Sequence, residues 1–144
     1  MRKGFTLLEV MLVVAIMTLL GAMSIPALLR ARISADESAA QAALRAIATG
    51  QISYRIANSN YTNLTMLGYS VPPYIDHALA DGLRNGYNFT AAGWGTTFVA
   101  TAVPKSNSTG VRRFCITEDG VLRVNSSIIS STDRNTCQGY GATK

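Results

Sequence analysis

The sequence predicts an α+β fold in which a long N-terminal helix packs on a small antiparallel β-sheet of about four strands. Three observations predict it. No residue from Val10 to Leu29 carries a charge. Apolar residues then recur at helical spacing as far as Tyr54. Beyond Gly86, aromatic and β-branched residues alternate with polar ones between turn signals.

The uncharged run comes first. At about 1.5 Å per residue it makes a helix of about 30 Å, the thickness of a bilayer's hydrocarbon core. Glu9 is the anomaly: it sits one turn inside the apolar segment, between Arg2 and Lys3 on one side and Arg30 and Arg32 on the other. An unpaired carboxylate in hydrocarbon costs several kcal/mol, so Glu9 needs a partner. Cutting the chain after Gly4 would create one, an α-ammonium at Phe5. Phe5 and Glu9 are four apart and share a helix face, so the acid could meet its own terminus or that of a neighbouring chain. Two plainer readings compete. A secretory signal peptide would use Ala22-Met23-Ser24 as its cleavage site, but Pro26 follows closely and Glu9 interrupts the core. A single-pass anchor explains the length and leaves Gly4 and Glu9 without a reason.

Lys3-Gly4-Phe5-Thr6-Leu7-Leu8-Glu9 followed by an apolar run resembles the prepilin signature of type IV pilins and type II secretion pseudopilins. The resemblance covers about the first thirty residues. It implies a type IV pilin-like fold, cleavage after Gly4 and N-methylation of Phe5 by a prepilin peptidase/N-methyltransferase, and passage through an inner-membrane assembly platform. It further implies a homo-oligomeric helical filament in which Glu9 neutralises the Phe5 terminus of an adjacent subunit. Pro26 also matches the family, where the helix often loosens between a mid-segment glycine and this proline. Thr18 stands in place of that glycine here, and Gly21 is the nearest substitute. The precursor would lie in the bacterial inner membrane with its leader in the cytoplasm. The assembled subunit would be extracellular in a pilus, or periplasmic in a secretion pseudopilus.

The segments implied are a leader at 1–4, a membrane and filament-core helix at 5–29, a helix continuation on the sheet at 30–57, a connecting loop at 58–85, and the sheet with its tail at 86–144. In the continuation, Ile33, Ala40, Leu44, Ile47 and Tyr54 form the apolar stripe, with Glu37 and Gln51 as polar interruptions. The Ala-rich face can sit close to a sheet. Gly50 weakens the helix interior by about 1 kcal/mol relative to Ala, and Asn58-Ser59-Asn60 should end it. Unbroken, such a helix would run about fifty residues, or about 80 Å. Pro72-Pro73, Gly68 and the Asn-rich turns argue against a long regular element next. Leu64, Met66, Leu67 and Tyr69 should tuck under this loop, with a short helical turn near residues 75–83.

The sheet should start with a hairpin over 86–103 that turns at Gly93-Trp94-Gly95. Strands over 111–117 and 121–124 follow, joined at Glu118-Asp119-Gly120. Phe114 and Ile116 then face the helix and Cys115 faces away. Two cysteines, an even count in an exported chain, favour one disulfide between Cys115 and Cys137. Closing a loop of about twenty-three residues is worth roughly 3 kcal/mol by the chain-entropy argument. The tail must therefore return across the outer face of the sheet, an arrangement similar to the disulfide-bonded region of many type IV pilins.

Composition limits the remaining chemistry. Charged residues are 15% and the formal net charge is +5, which falls to +3 once Arg2 and Lys3 leave with the leader. No catalytic residues and no cofactor are expected: His77 is the lone histidine, and two cysteines and one histidine make no zinc pattern. Glu118, Asp119 and Asp133 could surround calcium, but they match no EF-hand and Asp119 more simply makes its turn. Arg112, Arg113, Arg123 and Arg134 could attract DNA phosphates or form a solvated face. The Asn-x-Ser/Thr sequons at Asn60, Asn63, Asn88, Asn107 and Asn125 read as polar loops and strands in a bacterial chain. A pilus subunit, a pseudopilin of a type II secretion system and a DNA-binding uptake pilin are the functions weighed.

Overall fold

The computed structural model describes residues 4–125 and 133–141, apart from the Met23 side chain. The chain divides into two compact units, residues 1–32 and 33–144. Helix α1 (Leu7–Asn58) contributes to both. Its N-terminal part is long and apolar enough to cross a membrane, and none of that window is buried within the chain. The helix runs on through Gly21 and Pro26 without the loosening the family likeness implies. Pro26 deletes one N–H, but neighbouring bonds persist. Thr18 Oγ1 donates to the carbonyls of Val14 and Ala15, and Ser24 Oγ donates to that of Leu20. As expected, α1 ends at the Asn-Ser-Asn cluster, where Ser59 turns the chain with φ 63°.

In the second unit, α1 is followed by α2 (Leu64–Tyr69) and α3 (His77–Ala80). α2 replaces part of the predicted loop, and α3 is the short helical turn expected near residues 75–83. Asn63 caps α2 by accepting from Met66 N, and Asp76 caps α3 by accepting from Ala78 N. The α2 cap was legible as a residue but not as a helix, because six residues are fewer than the window in which periodicity shows. Leu64 and Leu67 are buried as expected, whereas Met66 and Tyr69 are about half exposed. A six-residue helix has one inward face, and the spacing gives it to Leu64 and Leu67.

The sheet has five antiparallel strands in sequence order: β1 (Leu83–Arg84), β2 (Tyr87–Trp94), β3 (Thr97–Pro104), β4 (Arg113–Thr117) and β5 (Leu122–Asn125). The extra strand is β1. Asn85-Gly86 makes the two-residue turn that pairs Arg84 with Tyr87, and both turn residues have positive φ, 48° and 72°. An Asn-Gly turn between paired strands is the strongest short hairpin signal, and it was present in the sequence. The β2–β3 reversal lies one residue later than expected, so Trp94 ends β2 and pairs with Thr97.

One face of the sheet packs on α1. Ala40, Leu44 and Ile47 meet Phe98, Ala100, Ala102, Phe114 and Ile116 in one core, with Tyr54 at its margin. Glu37 and Gln51 occupy the same helix face and are also buried, at 6% and 0% exposure. They are anchors rather than interruptions. Glu37 Oε1 accepts from the backbone N–H groups of Val111 and Arg112, each at 3.1 Å, and Oε2 pairs with Arg112 Nε at 3.0 Å. The Gln51 amide grips Thr62 twice, donating to its carbonyl at 2.5 Å and accepting from its N–H at 3.0 Å. Tyr87 Oη donates to the Arg112 carbonyl at 3.0 Å. Burial, with the negative charges of Glu37 and Asp36, pushes its pKa up to about 12. A Cβ at Gly110 would stand 1.9 Å from that Oη, so only glycine admits this approach. Gly50 serves the same end on α1, where a Cβ would meet Ile75 Cγ2 at 2.7 Å.

Replacing Glu37 by Leu removes the acceptor and leaves two amides and Arg112 without it. The expected loss is about 1–3 kcal/mol, since two backbone amides lose a charged acceptor while the exposed Arg112 side chain keeps its water. Urea unfolding of the detergent-solubilised chain measures it, and a loss below about 0.5 kcal/mol would show that water replaces the carboxylate.

Candidate functional site

The N-terminal unit brings together the residues expected to matter for processing and assembly. Gly4, Phe5 and Thr6 are non-helical and exposed, and α1 starts immediately after them. Thr6 is the reason for that start. Its carbonyl and Oγ1 both accept from Glu9 N, at 3.1 and 3.3 Å. Thr6-x-x-Glu9 has the spacing of a capping box, a signal that the apolar run hid in the sequence. Only half of the box is made: among the described residues no group donates to the Glu9 carboxylate. Its place in the first turn of α1 is electrostatically favourable for an acid.

Among the described residues nothing lies within 4 Å of where a Cβ at Gly4 would stand. Phe5 is 78% exposed, and Leu7, Leu8, Met11, Leu12, Met17 and Leu20 are all more than half exposed around the helix. Such an apolar surface is far larger than a soluble monomer tolerates and marks contact with lipid or protein. Pro26 is also exposed. Glu9 and Pro26 lie on α1 and Phe5 just before it, and among the described residues no side chain pairs with the Glu9 carboxylate.

The second expected site is the outer face of the sheet. Cys115 and Cys137 are bonded, with Cα atoms 6.1 Å apart. Both are fully buried in a small cluster with Val99, against which Tyr140 packs. The tail carries a short helix, α4 (Arg134–Gln138), while residues 126–132 of the expected Ser-rich tail lie outside the described residues.

The basic residues meet acids. Arg112 pairs with Glu37, Arg123 with Asp119 and Arg134 with Glu118. Arg113 sits half-buried at the start of β4. Asp119 organises the β4–β5 turn by accepting from Thr117 Oγ1 at 2.8 Å, Val121 N at 3.0 Å and Arg123. The Arg123 guanidinium, against the opposing effect of burial and helped by Val121 N and Thr117, holds its pKa at about 2. Burial raises the Glu118 pKa, but donation from Arg134, backbone hydrogen bonds at Glu118 and Phe98, and the Arg134 charge together outweigh it, and the net shift is downward. Among the described residues no cluster of three or more His, Cys, Asp or Glu could hold a metal ion. Asp119 is spent on its turn, and Asp133 on capping α4.

An exposed apolar helix joined to a disulfide-closed α+β unit presents an apolar surface suited to contact with lipid or with other helices. Residues 1–25 match the family model described as the prokaryotic N-terminal methylation motif. The chain is 32% identical over 134 residues to the type IV wide pilus major component PilA4 of Thermus thermophilus, with 90% of this chain and 92% of the relative covered. No solved structure matches the chain. The chain belongs to the type IV pilin family.

Asp119 gives a pH prediction with a definite sign. Its folded pKa lies below the ordinary 3.8, so its contribution is present above about pH 4 and is lost as pH falls toward 2. The urea midpoint of Asp119→Asn should therefore lie below that of the parent at pH 5, and the gap should close at pH 2. Equal gaps at both pH values would overturn the assignment.

Proposed function

We propose that the chain is a structural subunit of a bacterial type IV pilus. Residues 1–4 form the leader, 5–29 the filament-core helix, 30–57 its continuation on the sheet, 58–85 the connection, and 86–144 the sheet and tail. The prepilin peptidase/N-methyltransferase cuts after Gly4 and methylates Phe5. The inner-membrane platform then extracts the precursor from the membrane into the filament. The carrying observation is Glu9: an acid on an apolar, fully exposed helix surface, with no donor among the described residues. Packing copies side by side removes lipid from that surface and brings the α-ammonium of a neighbouring Phe5 to the carboxylate. Two opposite charges in a low-dielectric core attract strongly enough to fix axial register. The open surroundings of Gly4 support an external reader, since among the described residues nothing would meet a Cβ there.

A pseudopilin of a type II secretion system would use the same N-terminal chemistry. The modest size of the second unit permits it, but the relative's name is that of a pilus component. A DNA-uptake role drew on four arginines, and three of these are in ion pairs with acids of the same chain.

Glu9→Leu or Glu9→Ala should leave the disulfide-bonded unit folded and abolish or sharply reduce filaments, scored by electron microscopy of sheared cells. Normal filaments from either variant would sink the charge-pairing role. Gly4→Asp should leave the leader attached, visible in the intact mass and N-terminal sequence of the purified chain. Removal of the leader from that variant would show that another feature directs the cut.

A further inference from the structure

The tail around Cys137 is held to the sheet by more than its disulfide. Arg134, three residues before Cys137, donates through Nε and Nη2 to Glu118 Oε1 at the end of β4. Gly141, four residues after it, accepts at 3.1 Å from the N–H of Val124 on β5. Between these anchors the tail is internally bonded. The Asp133 carboxylate accepts from Asn135 N at 3.0 Å and from Thr136 Oγ1. Cys137 N donates to the Asp133 carbonyl, and Tyr140 N donates to that of Cys137, both at 3.1 Å. A helix of five residues does not persist in water by itself, because nucleation costs more than one turn returns. It needs the sheet, and the anchors on either side of Cys137 provide it.

We propose that Glu118 and Arg134 are positioning residues for disulfide formation: they dock the 133–141 strap on the outer face of β4 before any bond exists and hold the Cys137 thiol against Cys115. Tyr140, packed against the cluster of Val99, Cys115 and Cys137, closes the same site. The covalent step is ordinary exchange. The Cys115 or Cys137 thiolate attacks the disulfide of an exported dithiol oxidoreductase, or of oxidised glutathione in vitro. The second thiolate then displaces the mixed-disulfide partner, which leaves reduced with its thiol. One disulfide is made and one is lost, and two thiol protons pass to the reduced partner or solvent. Docking does not change this chemistry. It raises the effective concentration of one thiol at the other, which is what the equilibrium with glutathione reads. The strap also stays seated when the bond is reduced.

The test uses the full chain in detergent, equilibrated in glutathione redox buffers. Arg134→Ala and Glu118→Gln should each lower the effective concentration of the Cys115–Cys137 pair about two- to fivefold, the range of a partly exposed ion pair. The double exchange Glu118→Arg with Arg134→Glu should restore it, which a loss of general stability would not do. Separately, the chain with both cysteines changed to Ser should keep the Val124 amide protected from hydrogen exchange. An effective concentration unchanged in both single variants, a double exchange no better than either of them, or a Val124 amide that exchanges freely in the Ser variant would each overturn the proposal.

Discussion

A buried carboxylate on α1 governs how the second unit closes. Glu37 lies on the face that the core covers, and its two oxygens receive two backbone N–H groups and a guanidinium from residues 111 and 112. A carboxylate removed from water is tolerable only when such donors meet it, and segment 110–112 has no regular structure of its own to fix its place. Each therefore settles the other. Tyr87 and Gly110 complete the arrangement: the phenol donates to the Arg112 carbonyl, and the missing side chain at 110 leaves room for it. Gln51 does for residue 62 what Glu37 does for 111 and 112. Two polar side chains, fourteen residues apart on one helix face, tie down the segments that enter and interrupt the sheet.

This anchoring explains why an Ala-rich helix face suffices for the core. Small side chains let the sheet approach closely but contribute little apolar area each. Phe98, Phe114 and Ile116 supply the bulk from the sheet side. Directional bonds from Glu37 and Gln51 then specify register, which smooth Ala surfaces leave weakly defined. On the opposite face the apolar content is small, and covalent and ionic contacts to the 133–141 strap replace it.

Much of this was legible. The 40-44-47-54 part of the stripe, the inward Phe114 and Ile116, the outward Cys115 and the Asp-Gly turn follow from periodicity and turn chemistry, and the structure has each, whereas Ile33, expected at the start of the stripe, is only half-buried and lies outside that core. The same periodicity puts residues 37 and 51 on the stripe, so their burial was readable too. Their partners were not: Val111 is 74 residues from Glu37, and nothing local marks an amide that needs an acceptor. The pairing of Arg134 with Glu118 was hidden for the same reason. Strand β1 was missed although Asn85-Gly86 announced it, because two residues carry no alternation to count. At the N-terminus the motif was plain, but the Thr6 cap was masked by the long hydrophobic run that follows.

Glu9 and Glu37 pose one physical problem on one helix and meet it differently. Each is an acid among apolar neighbours. Glu37 is reached by donors from its own chain, so folding satisfies it. Glu9 has no such donors among the described residues, and the surface around it is uncovered. In water or at a headgroup layer that carries little cost. Inside a bundle of like helices it carries the full desolvation cost unless a cation arrives with the neighbour. The proposed cleavage makes that cation available only after processing, so an uncut chain lacks the charge that would admit Glu9 to the core. On this reading register depends on processing, because before the cut Phe5 carries a neutral peptide amide, and the leader's cations, Arg2 and Lys3, lie farther along the chain from the helix.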